Sequence, residues 1–134
     1  VPPVLEGSPV LGESGWVKVN PKTLETEFEN IYALGDVTAI PLAMGKPLPK
    51  AGVFAHFQAD VVAHSIEAKI KGISSTKEFD GKGACFIELG GGIAGYASGN
   101  FYVEPKPVVD LKKPSRLRHW QKVLFEKWWL WKWF

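Results

Sequence analysis

Three stretches of this 134-residue sequence predict an α+β chain closed by an amphipathic C-terminal helix. From residue 53 to about 71 apolar side chains recur at helical spacing. Residues 84–89 and 94–103 are strand-like runs on either side of a glycine cluster. The segment 115–134 holds five of the six tryptophans, interleaved with lysine and arginine. With 46% hydrophobic residues, the chain has enough apolar material for one domain with a core.

Along the chain, Val17-Lys-Val19 alternates apolar and polar and predicts a short strand. Asn30-Ile-Tyr-Ala-Leu-Gly-Asp-Val37 predicts a second, buried one over residues 31–34, ending in a Gly-Asp turn. Residues 38–52 are punctuated by Pro and Gly and cannot be helical. In the helix that follows, Ala55, Ala59, Val62, Ala63, Ile66 and Ile70 fall on one face, and Gly72 ends the run. The glycines at 90–92 predict a hairpin connection. Residues 104–114, rich in Pro and Lys, are expected to be extended. In the tail, Leu117, Trp120, Leu124, Trp128 and Trp131 share a face, and Arg118, Lys122 and Glu126 form an i, i+4 ladder on another. The division implied is 1–72, 73–114 and 115–134.

Charge is unevenly placed. Residues 1–105 carry 8 Lys/Arg against 12 Asp/Glu, whereas residues 106–134 carry 8 against 2. A basic, tryptophan-rich tail points to an anionic surface as its partner. Its charges recur too often for a membrane span, at about 2.5–3.5 kcal/mol each near the bilayer centre. Tryptophan and lysine together suit a helix lying in the membrane–water interface, with Trp120, Leu124, Trp128 and Trp131 as the immersed side chains. Packing against a further domain is the rival reading, and no nucleic-acid partner is expected. The single cysteine, Cys85, excludes an internal disulfide. His56, Asp60 and His64 are spaced i, i+4, i+8 and read as an exposed polar stripe, so no metal is expected.

Glycine lets a backbone approach a ligand closely, and an aspartate at a strand's edge can accept hydrogen bonds from sugar hydroxyls. Trp16-Val-Lys-Val-Asn20, then Thr23-Leu-Glu-Thr26, then Asn30-Ile-Tyr-Ala-Leu-Gly-Asp-Val37 resembles the second FAD-binding motif of the pyridine nucleotide-disulfide oxidoreductase superfamily, flavoproteins with two dinucleotide-binding domains. Pro49-Lys-Ala-Gly52 before a helix, Asp80-Gly-Lys-Gly-Ala-Cys-Phe-Ile-Glu-Leu-Gly90 and the tail are similar to sulfide:quinone oxidoreductase-like members. The resemblance implies that Gly35 and Asp36 hold FAD while Lys50, Gly52 and Val53 edge its ring, where a helix N-terminus favours negative charge. It also implies that Cys85 is redox-active with a second cysteine elsewhere, that sulfide is the reductant and quinone the acceptor, and that Phe125 and Trp129 wall the quinone site. A peripheral protein of a prokaryotic plasma membrane is the implied setting. A flavocytochrome c-type sulfide dehydrogenase, or a non-catalytic membrane-binding module, are the alternatives.

That family carries a Gly-x-Gly-x-x-Gly after its first strand for the FAD pyrophosphate. None precedes Asp36, and Gly90-Gly-Gly-Ile-Ala-Gly95 opens no helical pattern. With no initiator methionine and no signal-peptide pattern, the expectation is an α/β fragment, the C-terminal piece of a larger flavoprotein. Its missing N-terminal part would be its first partner.

Overall fold

The computed structural model describes residues 3–134. Helix α1 spans Gly52–Ile70, strands β1 (Lys82–Gly90), β2 (Ile93–Asn100) and β3 (Val108–Ser115) follow, and helix α2 covers Arg116–Trp133. Two 3-10 turns, Pro3–Leu5 and Gly35–Val37, precede them. The α+β class and the C-terminal helix are as expected.

The three strands form one antiparallel sheet in the order β1-β2-β3. Gly91 and Gly92 join β1 to β2 with φ of +60° and +70°, the pair of left-handed residues that a two-residue hairpin turn of this hand demands. Cys85 faces Ala97 across the ladder, and Ala97 faces Leu111 on β3. Residues 104–114 were expected only to be extended, but 108–115 pair with β2 as a true strand. Its residues are exposed on both faces except Ser115, so no alternation marks it, and Pro114 is tolerated because β3 is an edge.

The two strands expected near the N-terminus are not strands. Val17 makes single bridges to Leu11 and Thr38, and Tyr32 makes one to Glu25. A strand needs a ladder of consecutive partners, and each of these segments finds a neighbour at one residue only. The 31–34 stretch is not buried either, with Ile31 at 44% exposed.

Helix α1 begins and ends where the Pro/Gly signals put it. At its C-terminus the Gly72 N–H donates to Lys69 O (3.2 Å) and the Ile73 N–H to Ala68 O (3.0 Å), the paired bonds of a Schellman end. The buried face is different from the one expected. Phe54, Gln58, Val61, Val62 and Ala68 point inward. Of the expected stripe only Val62 is buried; Ala59 and Ala63 are exposed and Ile70 is 82% exposed. The helix is apolar on two sides, so the wheel alone was ambiguous.

The core gathers Val17, Val19, Leu24, Ile40, Leu42 and Leu48 from the irregular N-terminal half against Phe54, Val61 and Val62 of α1, with Phe79. Phe54 is the junction with the sheet. Its ring meets Phe101 and Phe79 edge-on at 5.2 and 6.2 Å, and lies where a Cβ on Gly83 would sit.

Helix α2 starts at Ser115, whose hydroxyl accepts from the Arg118 N–H at 3.3 Å. It lies on the sheet face carrying Phe86, Glu88 and Tyr96. Phe125 approaches Phe86 at 6.2 Å, and Arg118 sits 5.7 Å from the Tyr96 ring. Glu88 meets His119 Nδ1 at 3.2 Å and Lys122 Nζ at 3.4 Å. Farther along, Trp129 rests edge-on against His56 of α1 at 4.9 Å. No α2 residue is fully buried.

Candidate functional site

The Gly35-Asp36 turn is built against the first two turns of α1. Val17 fixes the chain just after it, its N–H donating to Val37 O and its carbonyl accepting from the Ala39 N–H. Gly35 has φ +68°, and a Cβ there would lie 3.2 Å from the Ala55 Cβ, so glycine serves both the turn and the close approach of α1. The Gly35 N–H donates to Gln58 Oε1 at 2.7 Å. Its carbonyl accepts from the Thr38 hydroxyl at 2.8 Å and the Thr38 N–H at 3.1 Å.

Lys50 clamps the other side. Its ammonium donates to the carbonyl of Asp36 and, at 3.4 Å, to that of Thr38, and lies 3.3 Å from the centroid of the Trp16 ring. The lysine therefore turns back onto the motif rather than reaching past the helix. Loop 38–50 is anchored for this by buried Ile40, Leu42 and Leu48 and by the Leu48 N–H bonding Ile40 O at 2.8 Å.

Two groups at this seam remain uncommitted among the described residues. The Asp36 side chain is exposed and has neither ion pair nor hydrogen bond. The N-terminus of α1 has no side-chain cap at Ala51, leaving the N–H groups of Gly52 and Val53 unpaired. The cleft lined by Gly35, Asp36, Lys50, Phe54 and Gln58 encloses only about 10 Å³. That is barely a water's worth of space, so a ligand of any size lies over this seam and not within it. An acceptor carboxylate beside a pair of free N–H donors fits a group with hydroxyls and a negatively charged edge, as FAD has. The structure thus brings Gly35, Asp36 and Lys50 together, next to the helix whose first two residues are Gly52 and Val53. Gln58 escaped the sequence reading, since as the lone amide of α1 among His56, Asp60 and His64 it looked like one more polar residue of the helix.

Cys85 is exposed, not packed in a core. By strand alternation it shares a face of β1 with Gly83, on which Phe54 of α1 packs, and with Ile87, 43% exposed. The thiol is therefore on the α1 side of the sheet, one alternation from that helix's first turn. Of the two aromatic residues assigned to a quinone, Phe125 lies over Phe86 on the opposite face, whereas Trp129 reaches α1. Phe125 is 5.7 Å from Trp129, which covers His56. Trp120, Leu124, Trp128 and Trp131 are 62%, 65%, 47% and 82% exposed, the outward stripe the wheel described.

Among the described residues no helix is long and apolar enough to cross a membrane. No group of three His, Cys, Asp or Glu could hold a metal there. Asp60, between the two histidines of α1, is held below the ordinary carboxylate range first by its bond to Lys77.

Fold and sequence both place this chain with segments of oxidoreductases. It is 30% identical over 109 residues, 78% of its length, to the sulfide-quinone reductase of Aquifex aeolicus. It is 28% identical over 90 residues, 66% of its length, to the mitochondrial sulfide:quinone oxidoreductase of mouse. The crystal structure of the Aquifex aeolicus sulfide:quinone oxidoreductase superposes on 92% of the chain and 29% of its own, with a TM-score of 0.75 and 28% identity. The chain is thus sulfide:quinone oxidoreductase-like over nearly its whole length. It spans a quarter of the Aquifex protein and 19% of the mouse one. No family model matches it.

Proposed function

We propose that this chain is the C-terminal part of an FAD-dependent oxidoreductase that oxidises sulfide and delivers electrons to quinone at a membrane surface. The likeness to the Aquifex enzyme over 92% of the chain supports this most, because the seam it includes offers the matching chemistry. Asp36 accepts hydrogen bonds from the hydroxyls of the FAD sugar-alcohol chain, and the Gly52 and Val53 N–H groups face the electron-rich edge of the ring. Bound there, FAD supplies a two-electron carrier. Lys50 holds the Asp36 and Thr38 carbonyls in place, so the turn does not have to organise itself on binding.

Cys85 supplies the sulfur chemistry. Paired in a disulfide with a cysteine outside this chain, it is open to attack by hydrosulfide. One sulfur takes the incoming atom as a persulfide and the other leaves as a thiolate. Helix α2 lies in the headgroup region with its tryptophan stripe immersed, and Phe125 and Trp129 border the path by which an apolar quinone leaves the lipid. A prokaryotic plasma membrane is the proposed setting.

The test is anaerobic titration of the whole polypeptide that carries this chain. It should purify yellow, its flavin band should bleach with sulfide, and a soluble quinone should restore the colour. A protein that binds no flavin, or whose flavin ignores sulfide, refutes the proposal.

A further inference from the structure

The buried amide of Gln58 has no place in the apolar face it occupies. It is 1% exposed among Phe54, Val61 and Val62. A polar side chain so deep is retained at a cost unless it is hydrogen-bonded. Its partner is the Gly35 N–H, 2.7 Å away and 23 residues earlier in the chain. Gly35 has its carbonyl taken twice by Thr38, and the carbonyl of Asp36 is taken by Lys50. Both peptides that bracket Asp36 are thereby oriented, by Thr38 and Lys50, and the peptide just before them, Leu34–Gly35, is held by α1 itself. What remains free at this turn is the Asp36 carboxylate.

We propose that Gln58 is a positioning residue for the cofactor site: through Gly35 it ties the direction of the Asp36 carboxylate to the axis of α1, whose N-terminus forms the other half of the site. The inference rests on the flavin reading above and deepens it. Two ligand-facing groups on separate segments must keep a fixed spacing to bind one molecule, and tenths of an ångström matter for charge-assisted bonds. Neither the helix nor the turn can shift alone while this bond holds. The tie explains why an amide stands where Leu or Met would pack as well.

The experiment compares FAD dissociation constants, by quenching of FAD fluorescence, in the whole polypeptide carrying this chain. Gln58→Met keeps the bulk and removes the acceptor, and it should weaken FAD binding about tenfold. Gln58→Glu keeps an acceptor oxygen at the same reach and should restore affinity to within about threefold. Val62→Ala loosens the same helix without touching Gly35 and should leave the constant unchanged at a similar loss of melting temperature. Equal weakening by Gln58→Met and Val62→Ala, or no rescue by Glu, overturns the proposal and leaves Gln58 a packing residue. Should Gln58→Met not fold, Gln58→Asn, whose oxygen falls about 1.5 Å short, takes its place with the same outcomes. Asp36→Ala is the control on the reading beneath. If it leaves the constant unmoved, the flavin assignment fails and this inference with it. If it weakens binding while Gln58→Met does not, only the inference fails.

Discussion

Removing two outward tryptophans of α2 measures how the tail is used. Trp120 and Trp131 are 62% and 82% exposed and touch no core residue, so truncating them should leave folding almost unchanged. Immersing a large apolar side chain fully is worth about 1.5–3 kcal/mol, and what these two still expose leaves roughly 3 kcal/mol to gain at a lipid surface. Trp120→Ala/Trp131→Ala should therefore weaken partitioning onto vesicles by about two orders of magnitude. Lys127, Lys132 and Arg116 add about 1 kcal/mol each on anionic lipid, a part that fades with salt. The assay is co-sedimentation with phosphatidylcholine vesicles against an equimolar mixture with phosphatidylglycerol, at low and high salt. The anionic vesicles should bind more protein, and the double variant should bind neither well. Binding that is indifferent to both tryptophans would refute the interface reading. If instead deletion of residues 116–134 unfolds the body, the tail is a packing element.

Cys85→Ser should leave the melting temperature and flavin content of the whole polypeptide nearly intact, because the thiol is exposed; sulfide-dependent bleaching should collapse, and retained bleaching would remove Cys85 from the chemistry. Burial pushes the Glu88 carboxyl up, but its bonds to His119 and Lys122 outweigh this and hold it below the ordinary range. Such a carboxylate contributes stability in full above its unfolded pKa near ~4.3, and that contribution is lost as pH falls through the lower folded value. Tryptophan fluorescence should therefore report α2 loosening below about pH 4, and Glu88→Gln should be loosened already at neutral pH with a flatter acid limb. A Cβ on Gly99 would lie 2.4 Å from the Val108 carbonyl oxygen, which is backbone and cannot swing aside; Gly99→Ala should cost about 2 kcal/mol, visible as a melting temperature lower by several degrees, and an unchanged value would contradict the β2–β3 register.

Elements that announce themselves by local chemistry were legible from the residues alone. The Gly91-Gly92 turn and the Gly72 stop each answer to a backbone requirement that few residues meet. What depends on tertiary partners was not. Helix α1 offers apolar residues to two sides, and only packing decides that Phe54 and Val61 go in while Ile70 stays out. β3 carries lysines and a proline because both its faces are open, so it lacks any alternation. The stretches at 17–19 and 31–34 look like strands but form only isolated bridges, each at a single residue, Val17 and Tyr32. At the candidate site the turn and the helix N-terminus were readable from Gly35, Asp36 and Gly52. The bond that joins them through Gln58 spans 23 residues and leaves no periodic trace.

Strand alternation puts Cys85 and Glu88 on opposite faces of β1, the thiol toward α1 and the carboxylate beneath α2. For an enzyme of the proposed kind this separates its traffic. A water-borne reagent arrives at the sulfur from one side of a single-layer sheet, while a lipid-dissolved one comes up along the tail on the other. The two approaches come together only where Trp129 and Trp133 of the tail close on His56 of α1.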